Sequence, residues 1–146
     1  MKKISQTLFL AITLVLFSFA VSAQDFPWKK SEVIQPSELA QKIKKENKNN
    51  YVIFNIGPVE DILYAKNIGA VTVPDHMKTL ENELKKINKN KEIIFYCGCC
   101  AMENCPNIEP TYTLLKKMGF KKVKVLNIEE SLYMDWISKK YPMPKK

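Results

Sequence analysis

The chain contains no arginine: all 23 of its basic residues are lysine. A bidentate guanidinium fork on phosphate or a related oxyanion is therefore outside its repertoire. Nor do the lysines form a basic stripe interleaved with aromatics, the footprint that nucleic-acid binding needs. The net charge of +8 reads instead as a solvated lysine surface, and no nucleic-acid partner is expected. Histidine occurs once, as His76, for which a helix-entry or surface position is expected rather than metal ligation. There are no internal repeats, and cysteine is absent outside one short window, Cys97 to Cys105.

Only one long apolar run is present, Leu8 to Val21, behind Lys2 and Lys3 and ahead of the small residues Val21-Ser22-Ala23. This is the pattern of a cleaved secretory signal, expected to span 1–23, and the run is short for a spanning helix. No stop-transfer pattern follows, and no cysteine lies near the cleavage point to accept a lipid. The reading is an exported protein, periplasmic or secreted, free of the membrane after cleavage and monomeric. Removing 23 residues leaves 123, the size of one domain with one core. A polar lead-in at 24–30 carries Trp28, which can pack on the domain edge, and the domain itself is expected over 31–146.

From Ser31 the chain alternates β-rich runs with helical patterns. "EVI" (Glu32 to Ile34), "YVIFNI" (Tyr51 to Ile56), "AVTVP" (Ala70 to Pro74), "EIIFY" (Glu92 to Tyr96) and "VKVL" (Val123 to Leu126) read as strands. A helix with Ser37 as N-cap follows the first, its apolar face made by Leu39, Ala40 and Ile43. Met77, Leu80, Leu84 and Ile87 mark a second, and Ile108, Tyr112, Leu115 and Met118 a third, capped by Asn107 and stopped by Gly119. Leu132, Trp136 and Ile137 suggest a closing helix, with Trp136 and Tyr141-Pro142 as packing groups. Strand–helix alternation over one small domain implies an α/β fold with a parallel sheet covered by helices, and sites in such sheets form beyond the carboxyl ends of the strands. Glu60 and Asp61 are expected as surface loop acids.

The loop "CGCCAMENCPN" lies at such a place, directly after an apolar strand and ahead of a helix. Three chemistries are open to it. A thiolate at Cys97 would face loop N–H groups and the positive end of a helix, both of which lower a thiol pKa, and Gly98 lets the backbone turn sharply. Without arginine, sulfane sulfur transfer fits such a nucleophile better than phosphoryl transfer. The four thiols Cys97, Cys99, Cys100 and Cys105 are also enough for Cu(I) or Zn, although adjacent Cys99 and Cys100 do not easily share one tetrahedral ion. In an oxidising compartment, Cys99 or Cys100 could instead pair with Cys105, or a neighbour could resolve a persulfide or sulfenate on Cys97. Cys105, just before the helix, is the best second reactive thiol on this reading.

Taken in order, these pieces resemble a rhodanese-like domain. "YVIFNIGPVED" is similar to the opening strand and acidic segment of that family. "AKNIGAVTVP" is similar to its Gly-His-Ile-Pro-Gly-Ala stretch, "KEIIFYC" to the strand ending in the active-site cysteine, and "LLKKMGFKKVKVLN" with "MDWISKKYPM" to the closing elements. The resemblance covers Ser31 to Met143 and points to a cysteine-rich, exported subgroup. It implies a central five-stranded parallel sheet with helices on both faces, and a sulfurtransferase needing no cofactor, with a small sulfur-containing donor and a thiol acceptor as partners. Cys97 would be the sulfur-accepting nucleophile and Gly98, Cys99, Cys100, Ala101 and Met102 the substrate-binding loop, with Cys105, by its place before the helix, as the second catalytic thiol. Asn55 stands where the family usually has aspartate, Gly57 where it often has arginine, and Lys66 at the histidine position, while Glu109 lies beyond an unusually long loop. These replacements remove anion-binding groups and count against thiosulfate as the donor.

Overall fold

The computed structural model describes residues 26–45 and 47–145. The leader expected at 1–23 lies outside the described residues. Five strands, β1 (Val33–Ile34), β2 (Tyr51–Asn55), β3 (Ala65–Asn67), β4 (Glu92–Tyr96) and β5 (Lys122–Leu126), form one sheet in the order β1-β5-β4-β2-β3. Every pairing is parallel. The helices are α1 (Pro36–Lys45), α2 (Pro74–Lys85) and α3 (Ile108–Lys117), and a wide, π-type turn over Tyr133–Ile137 closes the chain.

Central position explains the composition of β4. Ile93, Ile94, Phe95 and Tyr96 are all fully buried, because helices cover both faces of the sheet. Ile93 and Phe95 point into a layer with Leu80 and Leu84 of α2 and Ile108, Tyr112 and Leu115 of α3. Ile94 and Tyr96 point the other way, onto Leu39, Ala40 and Ile43 of α1 and onto Leu132 and Trp136. Each such side chain contributes about 1.5–3 kcal/mol by leaving water. Trp28 does pack on the domain edge, stacked on Phe26 and edge-on to Tyr112. No helix among the described residues is long and apolar enough to cross a membrane.

The third strand is not Ala70–Pro74 but Ala65–Asn67, a short and largely exposed edge strand. Gly69 takes φ +82°, and Pro74 becomes the first residue of α2, so the Val-Thr-Val run is turned rather than extended. Ser37 is not an N-cap: α1 begins one residue earlier, at Pro36, whose fixed φ suits the first helical position. His76 sits in the first turn of α2, its Nδ1 3.0 Å from the Ala70 carbonyl, a helix-entry position as expected. Trp136 is a packing group: Nε1 donates to the Pro142 carbonyl at 3.1 Å, and the ring meets Tyr141 edge-on.

Candidate functional site

β4 ends at Tyr96, and Cys97 follows at the carboxyl edge of the sheet, buried to 2% exposure. Its neighbour β2 ends at Asn55 and leads to Gly57, which lies flat against Cys97. A Cβ at Gly57 would fall 2.1 Å from the Cys97 carbonyl oxygen and 2.8 Å from its Sγ. Only glycine fits there without displacing Cys97. Gly98 then turns the chain with φ +77°, and its carbonyl accepts the Leu132 N–H at 2.8 Å, tying the loop to the closing turn.

Asn55 holds this arrangement from below. Its Nδ2 donates to the Val59 carbonyl at 2.8 Å and to Asp61 Oδ1 at 2.9 Å, while its Oδ1 accepts the Gly57 N–H at 3.0 Å. Tyr96 adds a brace: its hydroxyl donates to the Glu60 carbonyl and accepts the Ile62 N–H. Burial, with the charges of Asp61 and Glu60 nearby, outweighs the Ile62 N–H and pushes the Tyr96 phenol above its ordinary range, so it stays protonated. Asp61 is thus half-buried and structural rather than a surface acid, accepting also from Asn67 Nδ2 at 3.0 Å. Lys66 pairs with Glu83 on the surface, and Glu109 is exposed in the first turn of α3.

Asn107 is the feature the sequence concealed. It precedes α3, but its side chain makes no cap hydrogen bond. Instead Nδ2 donates to Cys97 Sγ at 3.2 Å and lies 3.8 Å from Cys105 Sγ. The Thr72 N–H donates to Oδ1 at 3.1 Å, which fixes which end of the amide faces the sulfur. The cue in the sequence is an amide side chain ten residues after Cys97, just ahead of a helix, and it bonds the thiol rather than the helix end.

The thiols divide sharply. Cys97 and Cys105 are buried, Cys99 is exposed and Cys100 intermediate, and all four are free thiols. Cys97 Sγ lies 3.3 Å from Cys99 Sγ, and Cys99 Sγ lies 3.5 Å from Cys100 Sγ. The sulfurs of Cys97, Cys99 and Cys105 all fall within 4.8 Å of one another; Cys100 is not part of that cluster. Hydrogen bonding decides the protonation pattern. The Cys105 S–H, then the Asn107 amide and the Cys99 S–H and N–H, outweigh desolvation and bring the Cys97 pKa down to about 6. Its two donors move the opposite way: desolvation and the Cys97 contact raise Cys99 to about 12, and the Cys97 contact and burial raise Cys105 further. The cluster at neutral pH is one thiolate held by two thiols.

Of the loop residues expected to contact substrate, Cys99 gives Cys97 both its N–H and its thiol. Met102 is buried and donates its N–H to the Ile128 carbonyl at 2.7 Å, anchoring the loop to the end of β5. Cys100 and Ala101 are intermediate in exposure, and Ala101 lines a shallow cleft of about 250 Å³ with Glu103, Asn127, Ile128 and Glu129.

Residues 35–128 match the family model of the rhodanese-like domain. No curated protein matches the chain by sequence. Among solved structures, the fold resembles a single-domain sulfurtransferase from Saccharomyces cerevisiae at TM-score 0.56 and 14% identity, covering 82% of this chain and 100% of that one. A rhodanese-like domain from Anabaena sp. gives 0.51 at 14% identity, covering 76% of each. The anaerobic ergothioneine biosynthesis enzyme of Chlorobium limicola, solved in complex with trimethyl histidine, gives 0.55 at 22% identity. That match covers 77% of this chain and only 28% of the enzyme, so this chain spans about a quarter of that protein. At these identities the likeness is one of fold.

Proposed function

This chain belongs to the rhodanese-like domain family, and from that premise we propose that it is an exported sulfurtransferase carrying sulfane sulfur on Cys97. The observation that supports this reading most strongly is the asymmetric cluster: a buried sulfur at a strand end, accepting hydrogen bonds from Asn107 and from Cys99, with a pKa near 6. The thiolate is the nucleophilic form of cysteine, and it exists here at neutral pH without a cationic partner.

Two displacements complete the cycle. With a persulfide donor R–S–SH, the Cys97 thiolate bonds to the outer sulfur, the donor S–S bond breaks, the donor leaves as its thiolate, and the outer sulfur keeps its proton in the new Cys97 persulfide. An acceptor thiolate then attacks the same outer sulfur, and Cys97 leaves as thiolate. Nothing is oxidised or reduced overall, so no external redox partner is needed. During the first step the hydrogen bonds to Cys97 hold the attacking sulfur in position; the buried setting excludes competing water.

The donor class follows from what surrounds the sulfur. The groups that stabilise Cys97 are two thiols, an amide and a backbone N–H, none of them cationic. A polysulfide or persulfide, of low charge, suits that environment better than the thiosulfate dianion. Incubating the reduced protein with polysulfide and measuring intact mass tests the proposal. One added sulfur on the wild type and on Cys105→Ser, but none on Cys97→Ser, is the expected result; no addition from any donor refutes it.

A further inference from the structure

We propose that the sulfurs of Cys97, Cys99 and Cys105 also form a three-coordinate site for Cu(I), a use of the loop separate from sulfur transfer. The three Sγ atoms come from three different supports: the end of β4, the turn after Gly98, and the segment that runs into α3. Cys97 is pinned by its contact with Gly57, and Cys105 by its N–H to the Met102 carbonyl and its carbonyl to the Ile108 N–H. Because the sulfurs lie within 4.8 Å of one another, a point exists within about 2.8 Å of all three. A metal–thiolate bond is about 2.3 Å, so binding needs sulfur shifts of about half an ångström.

The donor set selects the ion. Three thiolates form a soft set, and no fourth Cys, His, Asp or Glu joins the group among the described residues. Zinc wants four ligands in a structural site, whereas thiolate-only sites suit Cu(I). The amide of Asn107, oriented by Thr72, reaches Cys97 at 3.2 Å and lies 3.8 Å from Cys105, and it supplies the hydrogen bonding that steadies ligating sulfurs from outside. Two ligands are buried and one is exposed, so Cys99 gives an entry point for ligand exchange from a carrier thiolate. Binding replaces the S–H protons of Cys99 and Cys105 with one Cu(I), releasing two protons; no change of oxidation state occurs.

The test is an anaerobic titration of the reduced full chain with Cu(I), supplied as its acetonitrile complex and competed against a chromogenic Cu(I) chelator. X-ray absorption is then recorded on the loaded protein. The expected result is one Cu(I) per chain with three sulfur neighbours, an affinity loss of at least about ten-fold in both Cys99→Ser and Cys105→Ser, and little change in Cys100→Ser. Circular dichroism confirms that each variant is folded. A two-coordinate spectrum, a dependence on Cys100, unchanged affinity in either ligand variant, or tighter four-coordinate binding of Zn each overturns the site. The titration reads no sulfur transfer, so its failure and failure of the polysulfide experiment are distinct results. If both succeed, copper-loaded protein takes up no sulfur, because the same Cys97 lone pair serves both.

Discussion

The inner pair of cysteines and the outer pair share one loop yet live in different chemistry. Cys97 and Cys105 are buried, framed by Gly57 and Asn107, and fixed by the strand end and the run into α3. Cys99 is exposed, Cys100 is intermediate, and the Cys100 thiol lies 3.5 Å from Cys99 Sγ. The difference shows that accessibility and reactivity have been separated. The exposed Cys99 is pushed up to about 12 and the buried Cys105 further still, while Cys97, buried as well, is brought down to about 6. Burial alone would have produced the reverse ranking for Cys97; directed hydrogen bonds overturn it.

The contrast breaks most severely at Gly57. Gly57→Ala places a methyl inside the Cys97 carbonyl and against its sulfur. Overpacking of this kind costs about 1–3 kcal/mol, read as a lowered denaturation midpoint, and sulfur loading should fall by about 100-fold because a misplacement of about 1 Å has that effect. Wild-type loading rates in Gly57→Ala would mean that the inner site does not depend on this contact.

Asn107→Ala comes next. It removes the amide donor to Cys97 and strips the Thr72 N–H of its acceptor, a change worth about 1–3 kcal/mol of stability for a buried group. The pH profile of Cys97 alkylation separates the chemical effect from the structural one. In the wild type, reactivity should rise through about pH 6 and stay high above it, because the deprotonated form reacts. The midpoint should move upward in Asn107→Ala, by about one pH unit for each 1.4 kcal/mol of lost thiolate stabilisation. An unmoved midpoint would reduce Asn107 to a purely structural residue.

Cys105→Ser sharpens the comparison at smaller amplitude. The hydroxyl still donates to Cys97 but more weakly matches its size and position, so the alkylation midpoint should again rise while loading persists. Cys100→Ser, outside the three-sulfur cluster, should change loading less than about two-fold, within the scatter of surface substitutions. An effect of Cys100→Ser as large as that of Cys105→Ser would erase the distinction between inner and outer thiols.

Much of this was legible in the sequence, and the exceptions have physical causes. The strands β2 and β4 show as apolar runs because the sheet is covered on both faces. β5 shows by alternation of Lys122 and Lys124 with Val123 and Val125, and the cysteine loop falls at a strand end because the alternation of elements puts it there. β3 carried no apolar pattern, being a three-residue edge strand, while Val71-Thr72-Val73 carried strand propensity and lost it to Gly69 and Pro74. Gly57 and Asn107 were invisible as site residues because their roles depend on contacts across the sheet edge: Gly57 meets Cys97 from β2, and Asn107 reaches back ten residues to it.

The buried Cys97, not the exposed Cys99, is the proposed sulfur acceptor. Limiting polysulfide at pH 7, followed by intact-mass analysis of wild type, Cys97→Ser and Cys99→Ser, tests it directly. One added sulfur on the wild type and on Cys99→Ser, with none on Cys97→Ser, is the predicted outcome. Addition to Cys97→Ser at the wild-type rate, lost only in Cys99→Ser, would contradict it.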